Sequence, residues 1–237
     1  MGHAPENTMA SFAKAIELQA DMTELDIHLS KDGELIVIHD SSVDRTTNGK
    51  GLVCDLTLEQ IKNLDAGSWF APEFAGQRVP VLGEVMEFIK GKIDLNVEVK
   101  ASPQGVYPGI IDRLIEEIER HDMVDSVVVS SFQRPYLHEL RRKAPHIKVA
   151  LLYSKAFDEP WQEAVDQGWD LHPHMSLVDS RLVDEAHARG ILVRAWNPNK
   201  AEEMRPLIKL GVDGVGTNYP EILQQVWREY HAERGTL

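Results

Sequence analysis

Cysteine is almost absent from this chain: Cys54 stands alone in 237 residues. No internal disulfide can form, so an oxidising compartment gains no support, and Cys54 reads most simply as a small core residue. Long apolar runs are missing too. None approaches the ~20 residues that a membrane-crossing helix needs, and no secretory leader is visible; a cytoplasmic protein is the expectation. Positive charge is in deficit, with 25 Lys and Arg against 38 Asp and Glu and a formal net charge of −13. Such a chain repels nucleic acid and anionic membranes at long range. A small anionic substrate stays possible where a metal or a lysine supplies positive charge locally. The chain also has no glycine-rich dinucleotide-binding turn.

A hydrophobic fraction of 43% is ample for a core, and the length suits a single domain over 1–237. From the middle onward a strand-then-helix unit repeats. Short β-branched strands begin near Asp94, Ser126, Lys148, Asp170, Ile191 and Asp213, after the first interval about 22 residues apart, enough for a strand, a helix and two loops. Between them Ile110, Ile111, Leu114, Ile115 and Ile118 recur at helical steps, as do Met204, Leu207 and Ile208. This alternation predicts a (β/α)8 barrel. The first third differs. Met9, Phe12, Ala13 and Ile16 mark a helix opened by Pro5, Asn7 and Thr8. A strand then runs to a tight turn at Asp32-Gly33 and returns as far as Asp40, a hairpin signal. Residues from about 41 to 81, rich in Gly, Thr, Asp and Pro, read as an insertion with a short helix near 57–64. Seven ring strands can be counted, so the first barrel strand is expected to be missing.

Two strands carry charge that a purely structural strand would not. Glu24, Asp26 and His28 alternate with Leu25, Ile27 and Leu29, and Asn96, Glu98 and Lys100 alternate with Leu95, Val97 and Val99. In a barrel the apolar faces meet the helices and the charged faces point inward, where carboxylates are costly unless paired or bound to metal. Glu24, Asp26 and Glu98, with no thiolate partner, suit one hard divalent cation, Mg²⁺ or Ca²⁺. The competing reading is a pair of antiparallel strands with solvated polar faces. His39, at the end of the returning strand, could act as general acid or base, although a lone histidine is commonly structural. Trp196 ends a strand and could line a pocket or fill the core.

These residues lie within motifs that resemble the glycerophosphodiester phosphodiesterases. Ala4–Thr8, Glu24–Asp26, Lys31–Gly33, His39–Asp40, Arg45–Gly51, Asp65–Phe70, Glu98–Lys100, Ser130–Phe132, Trp196–Asn199 and Asp213–Pro220 follow the family's order across essentially the whole chain. It is most similar to the short bacterial members. The resemblance implies hydrolysis of glycerophosphodiesters to glycerol 3-phosphate and an alcohol. It implies Glu24, Asp26 and Glu98 as ligands of the cation, His39 as one of two catalytic histidines, and Lys100 as the group that stabilises phosphate charge. Phe132 and Trp196 would pack against glycerol or headgroup carbons. Family members also carry a His-Arg-Gly shortly before the first of these motifs. Met1 and Gly2 stand where its trailing loop belongs, and His3 does not match it. The resemblance therefore implies that this chain lacks one histidine and hydrolyses poorly. The alternatives are a degenerate barrel that binds metal and phosphodiester without turnover, and a lysophospholipase D-like relative, which the lack of a long apolar loop disfavours.

Overall fold

A computed structural model describes residues 2–235. The chain forms two compact units, Met1–Lys148 and Val149–Leu237. The first opens with helix α1 (Met9–Glu17), followed by the hairpin strands β1 (Met22–Leu29) and β2 (Leu35–Val37). Among the described residues no strand precedes α1. Helices α2 (Leu58–Lys62) and α3 (Leu82–Ile89) lead to β3 (Asp94–Val99), α4 (Ile110–Arg120), β4 (Val127–Ser131) and α5 (Arg134–Lys143).

Local chemistry accounts for the early elements. Thr8 caps α1, accepting from the Ser11 amide at 3.4 Å, while Ser11 Oγ accepts from the Thr8 amide at 3.3 Å. Gly33 takes the positive φ (87°) that lets the hairpin turn. The strands pair in the order β2-β1-β3-β4, with β2 antiparallel and the others parallel. Leu25, Ile27, Leu95, Val97, Val127 and Val129 are fully buried. The expected face of α4 is buried too, through Ile110, Ile111, Leu114 and Ile118. Each such side chain contributes about 1.5–3 kcal/mol relative to exposure.

The segment 41–81 has a core of its own. Val43, Val53, Ile61, Ala66 and Val79 pack on Ile36 and Ile38 of the hairpin, so the insertion braces the returning arm. Its loop is organised by Asp65, whose carboxylate accepts from the amides of Gly67, Ser68 and Gly76 at 2.7–2.9 Å.

The second unit continues the repeat: β5 (Lys148–Tyr153), α6 (Pro160–Gln167), β6 (Asp170–Pro173), α7 (Ser180–His187), β7 (Arg194–Trp196), α8 (Ala201–Leu210), β8 (Gly214–Gly216) and α9 (Pro220–Arg234). Strand β5 pairs parallel with β6, and β7 with β8. Parallel bridges Leu171–Val193 and His174–Trp196 link the two pairs. This strand–helix alternation is the α/β barrel-type order that the spacing predicts. No described helix is long and apolar enough to cross a membrane.

Candidate active site

The period of two along a strand sets Glu24, Asp26 and His28 on one face of β1, and Asn96 and Glu98 on one face of β3. Parallel register then places Glu24 beside Asn96 and Asp26 beside Glu98. Ligand oxygens of Glu24, Asp26 and Glu98 all lie within 4.8 Å of one another. Oxygens bound ~2.0–2.6 Å from a Mg²⁺ or Ca²⁺ ion are at most about 4–5 Å apart across it, so this set fits a hard divalent cation. Both carboxylates at the centre are deeply placed, Asp26 4% and Glu98 9% exposed, which rules out a solvated polar face for these strands.

Lys100 closes the cluster, its Nζ 2.8 Å from Glu98 Oε1 and 3.3 Å from Asp26 Oδ1. Asn7 grips Asp26 twice: its Nδ2 donates to Oδ2 at 2.8 Å, and its Oδ1 accepts from the Asp26 amide at 3.2 Å. Burial raises the Glu98 carboxyl above its ordinary value, Asp26 adds to the rise, and Lys100 opposes it. Glu24 is raised well above, by desolvation and then by the charges of Asp26 and Glu98. Its side chain is open to water, so repulsion by two carboxylates is the cause with the clearer geometric basis. Desolvation pulls the Lys100 ammonium down, but Asp26 and Glu98 outweigh it and hold it above the usual lysine value.

Beyond β2 the Ile38 amide donates to the Asp26 carbonyl at 3.0 Å, which ties the end of the hairpin to β1, and the charge of His39 acts on the Glu98 carboxyl. The His39 side chain is 51% exposed, and its Nδ1 donates to Asp40 Oδ1 at 2.7 Å. Its carbonyl accepts from His28 Nε2 at 3.1 Å. A carbonyl only accepts, so His28 carries its proton on Nε2, and His28 Nδ1 accepts from the Tyr107 hydroxyl at 2.8 Å. Burial lowers the His28 pKa, in keeping with this neutral form.

Arg45 holds Asp40 in turn, through Nε at 2.7 Å and Nη2 at 3.1 Å, and reaches Glu6 at 3.0 and 2.5 Å. That network pushes the Asp40 carboxyl down to about 2, the Arg45 hydrogen bonds contributing most. Glu6, Asn7, Asp40 and Arg45 escape a reading of the sequence for chemistry, since Asn7 looks like part of a helix cap and Arg45 like part of a turn-rich loop. The structure leaves the cap to Thr8 and gives Asn7 to Asp26. The signal available was their place in three of the family-like motifs, Ala4–Thr8, His39–Asp40 and Arg45–Gly51.

Phe132 follows β4, whose Ser130 is in register with Glu98, and its ring is 38% exposed. Trp196 belongs to the second unit. Its indole N–H donates to the His172 carbonyl at 2.9 Å, and its ring meets His174 edge-on at 4.8 Å between centroids.

The profile of the glycerophosphoryl diester phosphodiesterase family matches residues 1–222. A glycerophosphodiester phosphodiesterase of Caldanaerobacter subterraneus subsp. tengcongensis is 44% identical over 229 residues, covering 96% of this chain and 94% of the relative. Among solved structures, an Oleispira antarctica phosphodiesterase in complex with the product sn-glycerol-3-phosphate is similar at a TM-score of 0.89. It is 31% identical, with 95% of this chain and 92% of that one covered. A glycerophosphodiester phosphodiesterase from Agrobacterium tumefaciens matches at a TM-score of 0.82 and 25% identity, covering 93% of this chain and 94% of that one.

Proposed function

Because the chain belongs to the glycerophosphodiester phosphodiesterase family, we propose that it hydrolyses small glycerophosphodiesters to sn-glycerol 3-phosphate and an alcohol. One observation carries the reading: three carboxylates and the partly buried Lys100 converge, within range of the charge of a solvent-accessible His39. The product held by the Oleispira relative supports the substrate class. The family's bacterial relatives and the single Cys54 favour a cytoplasmic setting.

Glu24, Asp26 and Glu98 would hold one divalent cation, Mg²⁺ or Ca²⁺. When bound, such an ion lowers the pKa of a coordinated hydroxyl and neutralises charge on the phosphate. Asn7 keeps Asp26 aimed at the cluster. Lys100 adds a fixed positive charge that bulk water screens little, so it stabilises the negative charge growing on the phosphate oxygens. His39, with Nδ1 engaged by Asp40, uses Nε2 to move a proton on or off a reacting oxygen. Phe132, exposed just beyond β4, offers apolar contact for glycerol or headgroup carbons.

The test is release of glycerol 3-phosphate from glycerophosphocholine and glycerophosphoethanolamine, with EDTA and then with Mg²⁺ or Ca²⁺ restored. Turnover that requires the cation and falls at least ~100-fold in Glu98→Gln is expected. No release with any cation, or full activity in EDTA, would overturn the reading.

A further inference from the structure

We propose that Glu6, Arg45 and Asp40 form a positioning relay that fixes the tautomer and place of His39, and that the adjacent residues Glu6 and Asn7 lock this histidine to the carboxylate cluster. The inference rests on the proton-transfer role given to His39 above.

Arg45 spends its planar fork on two carboxylates at once, with two contacts to Glu6 and two to Asp40. With Arg45 42% and Asp40 32% exposed, such pairs add little stability. What they add is orientation. Asp40 has both oxygens bound by Arg45, so it cannot turn away, and Oδ1 also receives His39 Nδ1–H. The proton is thereby kept on Nδ1, and Nε2 is the nitrogen left open. The backbone is held independently, by His28 donating to the His39 carbonyl. The relay starts one residue from the clamp on Asp26, since Glu6 takes Arg45 and Asn7 takes Asp26. Asn7 adopts a left-handed backbone (φ 54°), costly for most side chains and tolerated by asparagine. Consecutive residues of one loop thus hold the proton-transfer group and a proposed cation ligand in one frame.

Two measurements on the full chain separate this relay from a mere surface staple. Long-range ¹H–¹⁵N spectra of labelled protein in alkaline buffer, with His39 assigned through His39→Gln, should show the Nδ1–H tautomer. Asp40→Asn and Arg45→Met should shift it toward Nε2–H. In kinetics, both variants should lower kcat about 10- to 100-fold, with KM changed less than about twofold, and Arg45→Lys should recover part of the loss. In a His39→Ala background the same two substitutions should do nothing further, because they act through the missing ring. Equal losses in both backgrounds would mark a structural staple and overturn the relay. A His39→Ala variant with wild-type turnover would overturn the proposed function of His39 and the relay with it. An inactive His39→Ala beside Asp40→Asn with unchanged tautomer and turnover would overturn the relay alone.

Discussion

Replacing Lys100 by methionine removes one positive charge from between two carboxylates while keeping most of the aliphatic stem. Its Nζ stands 2.8 Å from Glu98 and 3.3 Å from Asp26, with the three side chains 17%, 12% and 6% exposed. At an effective dielectric of ~20 these separations correspond to gross attractions of about 6 and about 5 kcal/mol. Desolvation of the ions takes back much of that. Leaving buried charge without its partner typically costs about 3–5 kcal/mol. In EDTA, urea unfolding should therefore show Lys100→Met less stable than wild type by about 3 kcal/mol, or roughly 6–12 °C in Tm. A divalent cation should favour the variant more than the wild type, since its cluster is more negative. Ligand at 100 times Kd stabilises by ~2.7 kcal/mol, and the extra affinity of the variant should narrow the gap in millimolar Mg²⁺ or Ca²⁺. Turnover should stay low in the same buffer, because the charge proposed to stabilise the phosphate is gone. An equal gap with and without cation would refute the shared site, and no gap in EDTA would refute the buried pairing.

Elsewhere, burial and then the nearby Arg194 charge push the His172 pKa from 6.5 down to about 3. Between those values the unfolded chain binds a proton that the folded one refuses, so stability is full above pH 6.5 and lost progressively as pH falls toward 3. From pH 7 to pH 5 wild type should lose about 2 kcal/mol more than His172→Gln in urea titrations, and parallel losses would contradict this. A Cβ on Gly67 would stand 1.8 Å from the Phe74 carbonyl oxygen, so Gly67→Ala should cost more than ~2 kcal/mol by thermal melting. Gly33→Ala meets nothing within 4 Å and should cost only ~1 kcal/mol, through its φ of 87°; equal costs at the two glycines would refute the steric account.

What was legible in the sequence is what depends on near neighbours. Periodicities of two and of about three and a half residues marked β1, β3 and α4, because burial on one face imposes them within a few residues. Asp32-Gly33 announced the hairpin and Thr8 the start of α1, since turns and caps are local chemistry. Alternation of charge and aliphatic residues was enough to single out Glu24, Asp26, Glu98 and Lys100, for carboxylates on a strand that is apolar elsewhere need a partner. Tertiary structure decided who that partner is. Lys100 reaches Asp26 across 74 positions of chain, Arg45 reaches Glu6 across 39, and Tyr107 meets His28 across 79. None of these pairs has a local pattern, because each exists only once parallel register and the braced hairpin have brought distant segments together. So the kinds of residue in the site followed from the sequence, while their tautomers, their charges and the hands that hold them followed from the fold.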